Sequence, residues 1–394
     1  MEALQSLNQT VAGKIRQYVA LQENGERLFL LAFFVYVIVA SLQTTTFRIN
    51  ESAVIVIKLA VTGCVLFKII AFDSYSAKEL YLAAWLLGDA VAVRVFSSYE
   101  EVFYFVVLLI GAKNIAFDKI LKVYLLVSAA VLLSAFIASR LDIIEDLVYV
   151  RAFLGERNSF GTVYPTDFAA HIFFFLSAGY YVIRKKLQTY HILLGAIICA
   201  IVYYYCKTRL DCITIVILLF GLWIMQGKDN GFTTIGYRKK FFGFLQKKAP
   251  WFGIAGFTAM YLLSWFYVPN VPIFRFIDEL LSGRLRLGNQ GLQEYGFSFF
   301  GQHVAMSGNG GSVVAPTNYF FIDSSYLLVY LCYGAVFLAL ILFIHYSCCK
   351  KYAGDRYYLL IMTVIVTNCM IAHHMIDLAY NPFYLALLAK KETI

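Results

Sequence analysis

The sequence predicts an all-α polytopic membrane protein, with about 12 transmembrane helices and two functional outer loops. Composition is the first ground: 61% of the 394 residues are hydrophobic, only 14% are charged, and the mean hydropathy is +0.71. Such a chain cannot present a soluble globular surface. The second ground is length, because the apolar residues gather into runs close to the ~20 residues that cross a hydrocarbon core. The third is sidedness: lysine and arginine separate once those runs are threaded through a bilayer.

By the length rule the expected spans lie at 27–45, 52–71, 79–96, 101–117, 119–139, 167–184, 190–207, 209–227, 250–268, 323–347, 356–373 and 374–390. The pairs that meet at Lys207 to Arg209 and at His373 to His374 leave almost no loop. The first apolar run is long and follows a mixed-charge stretch, so it is expected to serve as its own insertion signal rather than as a cleaved leader. The eight cysteines lie in or beside spans, which gives neither a disulfide framework nor a metal knuckle. With no internal repeat visible, the chain reads as one membrane domain, 1–394.

Counting basic residues in alternate loops places the lysine-rich hairpins at 68–78, 113–122, 184–186, 228–248, 350–356 and 390–391 on the cytoplasmic side, with both termini. The net charge of +9 is then mostly anchoring charge at an anionic inner leaflet and gives no argument for nucleic acid as a partner. The opposite loops hold Arg48, Arg140, Arg151, Arg157, Arg209, Arg275, Arg284 and Arg286, with only Lys207. Arginines set against the positive-inside bias need another reason. A guanidinium fork suits bidentate capture of phosphate or pyrophosphate, so the outer face is expected to handle an anionic, lipid-linked substrate.

Two outer segments carry these arginines. The first, 140–166, opens on an amphipathic stretch, Leu141 to Val148, and reaches Arg157-Asn158-Ser159-Phe160-Gly161. The second, 269–322, is the longest hydrophilic segment. In it, Phe274 to Leu281 has apolar residues at helical spacing and Ser282-Gly283 can end that helix, placing Arg284 and Arg286 just past it. Its aromatic content argues for docking on the membrane.

The Arg-Asn-x-Phe-Gly loop (Arg157 to Gly161), the Thr208-Arg209 hairpin, the Ser282-Gly283-Arg284 turn, and Ile322-Asp323-Ser324-Ser325-Tyr326-Leu327 with Tyr333-Gly334 downstream resemble the Wzy-type polysaccharide polymerases. These share a superfamily with the O-antigen ligases, and the resemblance runs from about Arg151 to Phe383. It implies a fold like that of the GT-C-type membrane glycosyltransferases, in the bacterial cytoplasmic membrane. It also implies an enzyme that joins oligosaccharide repeats carried on polyprenyl pyrophosphate at the outer face, by inverting transfer that needs no metal, nucleotide sugar or other cofactor. Donor and acceptor are both lipid-linked glycans. A flippase and a chain-length regulator are the protein partners it implies. Two alternatives stay open on sequence: a ligase of the same superfamily, and a flippase for the same lipid-linked sugars.

Transfer of this kind needs cations where the leaving group gains charge and a base near the attacking hydroxyl. For the first, Arg157, Arg284 and Arg209 are the leading candidates, with Arg286 and Arg151 behind them; the plain alternative for each is a headgroup or a neighbouring carboxylate. Arg94 can join them or pair with Asp89. For the base the choice is Asp323, where the long loop re-enters the membrane; the ligases that the chain resembles have a His-Asn or His-Ser pair there. The same residue can instead be the N-cap of the following helix. Tyr164, Asp167 and His171 are expected to line the cavity, and His303 to touch sugar. His373 and Asp377, four apart, are expected to share a helix face; two His and one Asp are too few for zinc, so no metal site is assigned. Gly308-Asn309-Gly310-Gly311 reads as a hinge rather than a phosphate loop.

Overall fold

The computed structural model describes residues 2–151, 155–227, 236–314 and 316–391, with only the backbone described for 2–21 and for Arg151. Lys228, in the predicted lysine-rich side, lies outside the described residues. The chain is mostly helical, consistent with an all-α membrane protein. Among the described residues, Gln22–Leu42, Glu51–Ala71, Ala77–Ser97, Phe117–Arg140, Thr189–Cys206 and Ser325–Lys351 are long and apolar enough to cross a membrane.

The first half is built from α1 (Glu2–Leu42), α2 (Glu51–Ala71), α3 (Ala77–Ser97), α4 (Glu101–Gly111) and α5 (Phe117–Arg140). Local chemistry fixes their starts: Asn50 accepts from the Ala53 amide before α2, and Ser76 with Glu79 forms a capping box before α3. The short α4 packs against α2 and α3 and is almost wholly buried, so it is shorter than the expected span 101–117. A hairpin follows, β1 (Val148–Arg151) and β2 (Gly155–Asn158), and then α6 (Pro165–Val182), α7 (Thr189–Cys206), α8 (Arg209–Met225) and α9 (Gly236–Trp265). The hairpin lies within the first outer segment, 140–166, between the helices. Beyond α9, the long segment forms α10 (Pro272–Leu280) and α11 (Arg284–Tyr295), and the chain ends with α12 (Ser325–Lys351) and α13 (Arg356–Asn368).

The two ends of the bundle differ in chemistry. At one end Lys68 pairs with Asp73 at 2.6 Å and Arg184 with Asp118 at 2.8 Å. Lys351 there donates to the carbonyls of Ala386, Leu387 and Ala389. Glu26 pairs with Lys119 at the same end, and Phe117 donates its amide to Lys390, so both extremities of the side-chain-resolved chain meet there. At the other end Arg157 reaches the C-terminus of α7 and Arg209 the C-terminus of α10. Arg157, Arg209, Arg284 and Arg286, assigned to one side in the sequence, thus share one end of the molecule, opposite the end that holds Lys68, Lys119 and Lys351.

The expected twelfth span, 374–390, is not a helix. After α13 the chain runs irregularly to Pro382 and makes one 3-10 turn, Phe383–Leu387, yet these residues are largely buried. Irregular backbone in apolar surroundings requires partners from the protein. They are present: Ser325 donates its amide to Cys369 and Ala372 and its hydroxyl to Ala372, while Asn381 donates to Met375 and accepts from Phe383. His373 and Asp377 therefore do not share a helix face.

One more break shapes the site. A π turn, Val329–Tyr333, interrupts α12 and ends at Gly334 (φ +89°). The amides of Ala335 and Val336 donate to Ser298 and Phe299 instead of to their own helix. The approach is so close that a Cβ on Gly334 would stand 2.3 Å from Phe299 O, and one on Gly301 2.2 Å from Cys332 O. The long loop is thereby pinned to α12 just before it folds over the arginine-rich end.

Candidate functional site

At the arginine-rich end a cavity of about 920 Å³ is bounded by the hairpin, the α7–α8 turn, the α10–α11 turn, the 308–321 loop and the approach to α12. In the hairpin Tyr149 stands opposite Arg157, which gives both side chains one face of the ribbon. Arg157 is 2% exposed; its Nε donates to Cys206 O at 3.0 Å and its guanidinium lies 5.8 Å from the centre of the Tyr164 ring. Tyr149 packs edge-on against Tyr164 at 4.4 Å. Burial, with Tyr164 and Asp167 nearby, pushes the Tyr149 phenol up to about 12, so it remains a neutral donor, used on Val163 O at 2.9 Å.

Arg157-Asn158-Ser159-Phe160-Gly161 earns its shape from Phe160 and Gly161, which both take positive φ (52° and 78°). The turn seats the Phe160 ring among Phe136, Phe168 and Tyr205, and a Cβ at Gly161 would stand 2.5 Å from Ala135 O. Ser159 is fully buried. This motif is therefore a scaffold that aims Arg157.

In the second segment, α10 ends at Leu280 and the chain turns through Ser282 (φ 56°) and Gly283 (φ 87°), as expected. Arg284 and Arg286 do not trail into a loop, however. They open α11, whose N-terminal amides at Leu285 and Arg286 donate to Asp278 Oδ1 at 2.9 and 3.0 Å. A carboxylate at a helix N-terminus meets both its unpaired amides and its positive dipole end. Arg209 Nη2 binds the last carbonyls of α10, Glu279 and Leu280, at 3.0 and 2.9 Å.

Arg284 ties three segments together. Its Nη1 donates to Leu281 O (3.0 Å) and its Nε to Ile371 O (2.7 Å), while Nη2 stands 3.5 Å from Asp323 Oδ2. The N-cap position of α12 is Ser324, not Asp323, and no side chain caps that helix. The capping alternative for Asp323 is thus corrected: its carboxylate turns to Arg284.

The cavity brings together Arg157, Arg209, Arg284, Arg286, Tyr164, Asp167, His373 and Asp323 of the sequence candidates. His171 sits outside it, its Nε2 2.7 Å from Thr44 Oγ1 and its ring on Tyr380. His303 stacks on Tyr99, also outside. Asp377 accepts from the Ala379 amide within its own turn and does not line the cavity. The Arg151 side chain lies outside the described residues. Arg94 donates to Ser98 O, and Asp89 is buried with no hydrogen-bond partner among the described residues, so that expected pair does not form. Arg140 is engaged by Asp146.

Lining residues that the sequence reading passed over include Asp211, Tyr149 and Phe321, and Asn309, read there as part of a hinge, also lines the cavity. Asp211 lies in the first turn of α8, where a carboxylate ordinarily complements the helix dipole, so its position in the chain did not single it out. For each base on the wall there is an acid: Arg157, Lys207, Arg209, Arg284 and Arg286 face Asp167, Asp211, Asp278, Glu279 and Asp323. Such a wall can bind an anion and can also take up a proton. Among the described residues no group of three His, Cys, Asp or Glu side chains is placed to hold a metal ion. No family model matches the chain, and no curated protein or solved structure is significantly similar to it.

Proposed function

We propose that the chain polymerises polyprenyl-pyrophosphate-linked oligosaccharide repeats into polysaccharide at the outer face of a bacterial cytoplasmic membrane, as a Wzy-type glycosyltransferase. In this reading the arginine-rich end faces outward, and the chain makes about 12 passages, the last of them non-helical. The observation that carries the proposal is the convergence of Arg157, Arg209, Arg284 and Arg286 on one cavity, with Asp323 3.5 Å from Arg284.

The acceptor hydroxyl oxygen attacks the anomeric carbon, the bond from that carbon to the pyrophosphate oxygen breaks, and the configuration inverts. The hydroxyl proton passes to Asp323. Once neutral, that carboxyl no longer holds Nη2 of Arg284, and the guanidinium turns to the charge growing on the departing pyrophosphate. Base action and leaving-group stabilisation are thereby linked through one residue. Charge-assisted hydrogen bonds worth about 1.5–3 kcal/mol each make several arginines an adequate electrostatic partner for a diphosphate.

The test is purified protein in liposomes with lipid-pyrophosphate oligosaccharide isolated from the host, scored for products longer than one repeat. Extension supports the proposal. Repeats that stay single, whether or not they cross the bilayer, overturn it in favour of ligation or transport.

A further inference from the structure

The cavity wall is not uniform. Its charged part is described above, but the lining also includes the neutral side chains Tyr149, Tyr164, Asn309 and Phe321, contributed by the hairpin, the start of α6 and the 308–321 loop. We infer that Tyr149, Tyr164 and Asn309 form a second subsite for an uncharged sugar ring, the tyrosines taking its apolar C–H face and Asn309 one of its hydroxyls; the inference rests on the transferase reading for its choice of ligand.

Three observations carry it. First, Tyr149 and Tyr164 meet edge-to-face at 4.4 Å; the Tyr149 hydroxyl is committed to Val163 O at 2.9 Å, but that of Tyr164 has only a long 3.5 Å contact from Asn309 Nδ2. Aromatic faces with polar tips bind the apolar C–H face of a pyranose while leaving its hydroxyls to neighbouring polar groups. Second, Asn309 Oδ1 is shielded from solvent and has no hydrogen-bond partner among the described residues. A shielded, unpaired acceptor is costly, and a hydroxyl donor supplied by a ligand removes that cost. Third, the residues at 308–311 give Asn309 an unusual seat: Gly310 and Gly311 both take positive φ, 54° and 80°.

The subsite adjoins the charged part directly, since Arg157 lies 5.8 Å from the Tyr164 ring. A ligand with a sugar joined to a pyrophosphate, or a sugar arriving to meet one, spans both. Because an amide oxygen accepts and cannot donate, Asn309 selects a free hydroxyl in its orientation, and so selects which sugar position enters.

Two probes separate the subsites: inorganic pyrophosphate, and the lipid-free oligosaccharide released from the host's lipid-linked pool by mild acid. Binding of each to the full-length protein in detergent is measured by titration. Asn309→Leu is expected to weaken the oligosaccharide by about fivefold or more and to leave pyrophosphate within about twofold. Arg284→Ala is expected to show the reverse pattern. Unchanged pyrophosphate binding also reports that the Asn309→Leu variant is folded. The inference is overturned if the oligosaccharide does not bind the unmodified protein, or if Asn309→Leu binds it normally. If both probes bind as expected but no chain extension occurs in liposomes, the subsite stands and the polymerase reading falls.

Discussion

Arg284 and Asp323 are 39 positions apart in the chain and 3.5 Å apart in space, and their pairing joins the head of α11 to the entry of α12. Each side chain is only slightly exposed, and the other two nitrogens of Arg284 are held by carbonyls of Leu281 and Ile371. The guanidinium is therefore oriented before any substrate arrives.

Asp323 is expected to act as base, and the cap alternative supplies the control. Asp323→Asn preserves shape and hydrogen-bonding oxygen but cannot take up a proton, and Asp323→Ser is a competent cap. Both are expected to lower chain extension about 100-fold or more, at normal protein levels. Retained extension in either variant would sink the assignment.

Arg157→Lys and Arg284→Lys should fail nearly as badly as the alanine variants, because each arginine already spends Nε on a carbonyl and a lysine has one nitrogen for both tasks. The measurement is inorganic pyrophosphate binding, expected to weaken at least about tenfold in every one of the four variants. Lysine variants that bind like the parent would show these residues to be ordinary charges.

Sidedness can be read by thiol labelling in intact cells, in a Cys64→Ser background that removes the exposed native thiol. Glu156→Cys and Gln290→Cys, both exposed at the arginine-rich end, are expected to react with a membrane-impermeant reagent, and Lys239→Cys is not. Ser159, the nearer choice from sequence, is buried and would stay silent whichever way the protein faces. Labelling of Lys239→Cys alone reverses the orientation.

Two glycines of the first outer segment share a positive φ and differ in surroundings. Gly161→Ala places a methyl 2.5 Å from Ala135 O, whereas Gly155→Ala meets nothing within 4 Å among the described residues. The first is expected to cost roughly 2–3 kcal/mol and the second about 1 kcal/mol, read as thermal midpoints of the detergent-solubilised protein. Equal midpoints would mean that the turn relaxes freely and does not aim Arg157.

Much of the fold was legible where local sequence decides the structure. The runs 52–71 and 119–139 fall within a residue or two of Glu51–Ala71 and Phe117–Arg140, because about twenty consecutive apolar residues in a membrane leave the backbone little choice. The end of α10 was legible in Ser282-Gly283. The helix after it was not. Arg284–Tyr295 contains Gly288 and Gly291, poor helix formers; there they permit close packing, since a Cβ on Gly288 would stand 2.5 Å from Leu327 and 2.6 Å from Ser264. Its cap, Asp278, comes from another helix. The site divided in the same way. Arginines set against the charge bias could be picked out one by one, but the exclusion of His171 and His303 and the inclusion of Asp211 depend on packing that no short motif encodes.

The irregular stretch after α13 bears on assembly. A segment whose peptide groups are satisfied by Ser325, Asn381 and Tyr358 cannot partition into lipid by itself, however apolar its side chains. It has to dock after α12 and α13 are in place, as a plug drawn into a finished socket. Ile371, whose carbonyl steadies Arg284, and His373, on the cavity wall, both belong to that plug. The chemistry of the cavity therefore comes into being last, when the bundle around it has already closed.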